Sequence, residues 1–266
     1  MSKEHVHDEL HRFVFDLNHQ SIIQPEGGLD EVWQIIINDV LDYEKRTSNP
    51  WYPKDATPQG YSLEQSDRPD IVYENESFIM GIECLEFDAS RKIRKGSKQK
   101  TKEQDAEREI QEEYWQSTIP ENSFLSIERT IDVEFSEKYY CESLESNYKI
   151  HADSITAYRQ NLSQRSPGKK TLITFFIDDT TALGNYVEKN GRTEALNPLK
   201  MTFILDLLAS TPGLDYVIFR TTDSYVPFLR IQAVSIPLLM NLRKNCYGPD
   251  IKFAPYQYKQ EVHFWE

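Results

Sequence analysis

Two acidic residues stand where acids are hardest to accommodate. Glu83 interrupts the apolar run Phe78-Ile-Met-Gly-Ile-Glu-Cys-Leu-Glu-Phe87, and Asp70 follows Pro69 at the head of the short run Ile71-Val-Tyr-Glu. A carboxylate inside an apolar strand is costly unless a cation or a hydrogen-bond donor satisfies it. If the two runs are neighbouring strands, Asp70 and Glu83 come close enough to hold a hard divalent cation together through oxygen. A second feature lies just downstream, where residues 90–102 carry seven basic side chains and no acidic one. These are Arg91, Lys92, Arg94, Lys95, Lys98, Lys100 and Lys102, with Ile93 the single apolar residue among them. The stretch reads as an exposed basic loop able to track the phosphates of a nucleic acid.

The elements that must position these residues follow from the hydrophobic pattern. Val32, Ile35, Ile36, Val40 and Tyr43 recur near helical spacing, and Asp30 and Glu31 suit the positive end of a helix dipole, so the spacing predicts a helix over 29–45. Trp51, Pro53, Pro58 and Gly60 mark a loop. Asn75-Glu-Ser77 supplies a turn between the runs 70–74 and 78–87, which together predict a hairpin. Its second strand is apolar on both faces apart from its acids and therefore belongs at the centre of a sheet. Further on, the pattern predicts a charged helix over 102–116, a strand over 124–135, a helix over 152–164 and a buried strand over 171–177 that ends at Asp178 and Asp179. A helix over 196–209 and a strand over 216–220 follow. Alternating strands and helices, with no internal repeat and no linker, point to a single α/β domain over 1–266, a mixed β-sheet flanked by helices.

Pro69-Asp70, a hairpin interval and Gly81-Ile82-Glu83-Cys84-Leu85 resemble the core of the PD-(D/E)XK nuclease superfamily, over a stretch from residue 29 to residue 116. The resemblance implies a restriction-endonuclease-like core in which Asp70 and Glu83 bind Mg2+, or Mn2+ in its place, and a lysine two residues after the Glu helps to activate water. Leu85 occupies that position. Because this lysine migrates between elements within the superfamily, the resemblance assigns its role to Lys92 or Lys95, or to Lys98 or Lys102. It also places Glu44, late in the first helix, where some relatives carry a further metal-binding acid. Glu86 joins the metal set only if a bulge shifts the strand, since strict alternation turns it away from Glu83. Otherwise Glu86 and Asp88 make a polar strand end. Asp178 and Asp179 close a buried strand, where α/β proteins often place functional acids, but capping of the next turn by Asp179 or Thr180 is the preferred explanation.

Composition narrows the classes. The 266 residues carry 43 acidic and 30 basic side chains, a formal charge of −13 that argues against a general nucleic-acid coat. The charge is segregated: residues 1–89 hold 19 acids against 6 bases, and residues 103–147 hold 13 against 3, so the basic stretch sits between two acidic ones. Hydrophobic residues at 39% and aromatic ones at 12% exclude a disordered chain. Cys84, Cys141 and Cys246 form no Cys-x-x-Cys pair, which excludes a disulfide scaffold and a zinc finger. The N-terminus is charged, and no apolar run approaches the roughly 18 residues of a membrane span, so a cytoplasmic protein without membrane contact is expected. His7-Asp-Glu-Leu-His11 lacks the Glu directly after the first His that a metalloprotease helix needs. No nucleophile signature or Gly-rich phosphate loop is present among the ten glycines.

The first expectation is thus a metal-dependent nuclease acting on DNA or RNA. The alternative is a catalytically inactive nuclease-like module whose acidic surface binds a basic protein, as an immunity or regulatory protein does. A third reading, a subunit of a defence or mobile-element system, has no residue pattern of its own.

Overall fold

The computed structural model describes residue 13 and residues 31–47, 60–87, 92–93, 96–119, 123–133, 137–179, 186–189, 191–222, 229–237, 244, 246–247, 252–253 and 256–265. Helix α1 (Glu31–Thr47) leads into an antiparallel meander of β1 (Tyr61–Gln65), β2 (Ile71–Asn75) and β3 (Phe78–Phe87). Two short paired strands, β4 (Lys92–Ile93) and β5 (Gly96–Ser97), precede helix α2 (Lys98–Gln116) and strand β6 (Phe124–Val133). Helices α3 (Glu137–Ala152) and α4 (Ile155–Arg165) then return the chain to β7 (Lys170–Asp179), which lies parallel to β3. Strands β8 (Tyr186–Lys189) and β9 (Arg192–Ala195), a 3-10 turn at Pro198–Lys200 and helix α5 (Thr202–Ala209) follow. Strand β10 (Tyr216–Thr222) pairs parallel to β7, and β11 (Leu229–Ser235) pairs antiparallel to β10. Short β12 (Lys252–Phe253) joins β8, and β13 (Tyr256–Trp265) joins β6.

The main sheet has the order β1-β2-β3-β7-β10-β11, so β3 and β7 occupy its centre. Both faces are covered. On one, Trp33, Ile36, Ile37 and Val40 of α1 pack with Phe13 against Ile71, Tyr73, Met80, Ile82, Phe176 and Ile218. On the other, Tyr140, Leu144, Tyr148, Ile155, Tyr158 and Leu162 of α3 and α4, with Ile204, Leu205 and Leu208 of α5, pack against Ile79, Leu85, Phe87, Phe175, Ile177 and Phe219. A strand sandwiched in this way must be apolar at odd and even positions alike, which is the pattern of β3 and β7. Burying each large apolar side chain contributes about 1.5–3 kcal/mol, and the two layers share this gain through one sheet.

The fold is therefore α/β, with a mixed sheet flanked by helices. The expected hairpin, central strand and first helix lie within two residues of their predicted bounds. Three differences have physical causes. The helix expected over 152–164 is α4, and a further helix not expected from the pattern, α3, precedes it and ends just before Asp153 and Ser154; α3 places Tyr140, Leu144 and Tyr148 on one face at spacings of four, a stripe diluted in sequence by exposed charges. The basic loop expected over 90–102 is shortened, because the Gly- and Pro-free run from Lys98 is rich in good helix formers and belongs to α2. Ribbon β6–β13 joins residues more than a hundred positions apart in sequence and packs on α2, with Ile127 and Ile131 buried and Arg129 ion-paired to Glu109 and Glu113. Among the described residues no helix is long and apolar enough to cross a membrane.

Candidate functional site

The register of the hairpin brings the two acids together. Ile71 pairs with Ile82, so Asp70, one residue before it, lies opposite Glu83. Asp70 Oδ2 accepts a 2.8 Å hydrogen bond from the backbone N–H of Cys84, the residue after Glu83. Both acids are buried, with relative exposures of 7% for Asp70 and 5% for Glu83. The turn that delivers Asp70 is pinned by the Ser66 N–H, which donates to the Asp70 carbonyl at 2.8 Å. It packs tightly because Gly81 leaves room: a Cβ there would stand 2.4 Å from Pro69 Cγ and 2.8 Å from Leu162 Cδ1. The glycine thus lets Pro69 and α4 close on β3 two residues before Glu83 and on the same side of the strand.

Glu83 is held by the helices above it. Its Oε1 accepts from the Tyr158 hydroxyl at 2.7 Å and sits 2.6 Å from His151 Nδ1. Its Oε2 is buried and has no hydrogen-bond partner. His151 comes from the last turn of α3 and Tyr158 from the first turn of α4, so the break at Asp153 and Ser154 is what lets both reach one carboxylate. Burial, and then the bond to Glu83, push the Tyr158 phenol well above its ordinary range; it stays protonated and donates. The His151 side chain is 23% exposed against 6% for Glu83, which places the imidazole between the carboxylate and solvent. Neither residue stands out in the sequence. The one signal was an i, i+7 spacing of two hydrogen-bonding rings around an expected helix start.

Of the remaining sequence candidates, the structure describes only some, and those lie apart from this pair. Strand β3 keeps unbroken register with β7, Glu83 opposite Phe175 and Glu86 opposite Asp178, so no bulge turns Glu86 toward Glu83. Glu86 is exposed, and its carbonyl accepts from Asn147 Nδ2 at 2.8 Å. Glu44 sits on α1, the helix that covers the opposite face of the sheet, and its side chain is outside the described residues. Leu85 is 2% exposed within the α3–α4 core. Lys102 Nζ donates to the Asp132 carbonyl at 3.1 Å, toward the ribbon. Arg91, Arg94 and Lys95 lie outside the described residues, as do the side chains of Lys92, Lys98 and Lys100. Asp88, Thr180, His7 and His11 lie outside them too.

Asp178 and Asp179 have partners inside the protein. Arg220 Nε donates to Asp178 Oδ1 at 2.6 Å, its second nitrogen bonds Oδ2, and its guanidinium lies 5.3 Å from the centre of the Phe176 ring. Asp179 Oδ2 accepts from the Tyr140 hydroxyl at 3.1 Å on the other face. Burial, with the nearby Asp179 charge, raises the Tyr140 phenol well above its ordinary range.

Among the described residues no group of three or more His, Cys, Asp or Glu side chains gathers as a metal site. The protein's oxygen donors at this point are the Asp70–Glu83 pair. Mg2+ is commonly held by one or two carboxylates with water completing its shell, so a two-carboxylate set fits it, and the partnerless Glu83 Oε2 is the atom such an ion would satisfy. The chain was compared with family models, curated proteins and solved structures, and none of them matches.

Proposed function

We propose that the protein is a metal-dependent nuclease of PD-(D/E)XK type that hydrolyses phosphodiester bonds in DNA or RNA, with Asp70 and Glu83 holding Mg2+ or Mn2+. The observation that carries this reading is the cross-strand meeting of two buried carboxylates, one of which keeps an oxygen without a partner. The order of elements supports it: α1 precedes the β1–β3 meander whose hairpin carries both acids, and β7 lies parallel to β3 after a connection that contains α3 and α4. A divalent ion bound here supplies a more acidic water and neutralises charge on the phosphate. Asp70 is fixed for this by the Cys84 amide, and Glu83 by the donors on Oε1. The basic run Arg91, Lys92, Arg94, Lys95, Lys98, Lys100 and Lys102 attracts the backbone phosphates, while the acidic segments on both sides limit nonspecific binding.

The test is incubation of the purified protein with single- and double-stranded DNA and RNA in Mg2+ or Mn2+. Cleavage is expected, abolished by chelation and by Asp70→Asn or Glu83→Gln in variants that keep the wild-type circular dichroism. Intact substrates over a wide range of protein concentration contradict the proposal.

A second reading is favoured by the burial of Leu85 where the resemblance calls for lysine, and by the Tyr158 and His151 donors on Glu83. In it the chain is an inactive nuclease-like module whose acidic surface recruits a basic protein. It predicts that neither Mg2+ nor Mn2+ binds at Asp70 and Glu83.

A further inference from the structure

We infer that Tyr158 and His151 are positioning residues that make Glu83 a one-oxygen ligand and thereby set the site's preference for Mg2+ over Ca2+; the inference rests on the metal-binding reading above. An ionised carboxylate only accepts hydrogen bonds, and each of its oxygens offers two lone-pair directions. On Glu83 Oε1 both are taken, one by the Tyr158 O–H at 2.7 Å and one by His151 Nδ1 at 2.6 Å. Because the partner is acceptor-only, Nδ1 carries the proton of the imidazole. Oε2 has no such partner and is the oxygen left for a cation.

The asymmetry selects between ions. Ca2+ fills a shell of six to eight oxygens and readily takes both oxygens of one carboxylate, whereas Mg2+ is satisfied by single oxygens and retained water. A Glu83 whose Oε1 is already engaged cannot close on Ca2+ with both oxygens unless it gives up two charge-assisted hydrogen bonds. Mg2+ asks for no such exchange. Tyr158 is almost fully buried and its ring is anchored in the α3–α4 core, so the hydroxyl has little freedom to move aside.

The experiment follows Mn2+ bound to the full-length chain by electron paramagnetic resonance and measures its displacement by Mg2+ and by Ca2+. The proteins compared are wild type, Tyr158→Phe, His151→Gln and Glu83→Gln. Tyr158→Phe and His151→Gln should each improve Ca2+ relative to Mg2+ at least about tenfold, the factor that one hydrogen bond to a charged group represents at the low end of its range. Tyr158→Phe keeps the buried ring, and His151→Gln, at the partly exposed position, serves if the first variant does not fold. If wild type binds Mn2+, Glu83→Gln does not, and the Ca2+ to Mg2+ ratio is unchanged in both positioning variants, the inference is overturned while the metal reading stands. If Glu83→Gln binds Mn2+ as wild type does, the metal reading falls and the inference with it.

Discussion

Gly81→Ala adds one carbon at a point where Pro69 and Leu162 leave no room for it. The added Cβ would lie 2.4 Å from Pro69 Cγ and 2.8 Å from Leu162 Cδ1, where unstrained carbon contacts are about 3.5–4.0 Å. Both neighbours are buried, Leu162 at 2% exposure, and the proline ring has no rotamer into which it can swing. Relief therefore needs a shift of roughly 1 Å in the Pro69 turn, in α4, or in both. Overpacking of this kind costs about 1–3 kcal/mol, against which removal of a strand glycine returns roughly 0.5–1 kcal/mol. With two contacts below 3 Å the overpacking falls in the upper half of that range, so the net expectation is a loss of about 1–2.5 kcal/mol, or a fall in Tm of about 2–10 °C for a chain of this size. Either route of relief also disturbs the candidate site, because Pro69 is followed by Asp70 and Leu162 lies one helical turn beyond Tyr158. Mn2+ affinity should therefore fall with stability. Thermal unfolding and Mn2+ titration of the same preparation read both effects; a Gly81→Ala protein as stable as wild type refutes the packing argument, and weakened stability with unchanged Mn2+ affinity refutes its link to the site.

Other perturbations test other parts of the structure. Arg220→Met leaves Asp178 charged and buried without its bidentate partner, and should cost about 3–5 kcal/mol in chemical denaturation, with much of the loss recovered in the Arg220→Met, Asp178→Leu double variant. The Cys141 thiol is pushed up to about 11 by burial and by Glu137, Glu145 and Glu142, so at pH 8 its alkylation should run about a hundredfold slower than that of a thiol at the ordinary value of 9.0. Lys169, 2.7 Å from Glu74, holds that carboxyl below its ordinary 4.5. A lowered folded-state value contributes stability above 4.5 that is lost as pH falls through that lowered value, so Lys169→Ala should cost about 0.5–1 kcal/mol more at pH 7 than once Glu74 is protonated, when only the bond from its ammonium to the Asn75 carbonyl is left to lose. Stability curves for wild type and Lys169→Ala that stay parallel from pH 7 to pH 3 contradict this.

How far the sequence reaches differs between fold and site. Strands β3 and β7 were legible because a strand covered on both faces must be apolar throughout, and α1 because one face carries its large apolar side chains at helical spacing. Strand β1 was not, since at a sheet edge only Tyr61 and Leu63 interrupt its polar residues, and the β6–β13 ribbon depends on a pairing between distant segments that no local pattern encodes. At the site, Asp70 and Glu83 announce themselves as acids at the head of and inside apolar runs. Tyr158 and His151 do not, because their role comes from a helix break that aims two ordinary helical side chains at one carboxylate. Asp178 and Asp179 read as candidate functional acids, and their partners Arg220 and Tyr140 come from elements 42 and 39 residues away.

Whether Asp70 and Glu83 together hold a divalent cation is decided by anomalous diffraction from crystals of the protein soaked in Mn2+. A manganese peak is expected within bonding distance of Glu83 Oε2 and of an Asp70 oxygen, absent from Glu83→Gln crystals treated in the same way. A map with no peak at that point, or with Glu83 Oε2 bonded to a protein donor instead, contradicts the metal-binding reading.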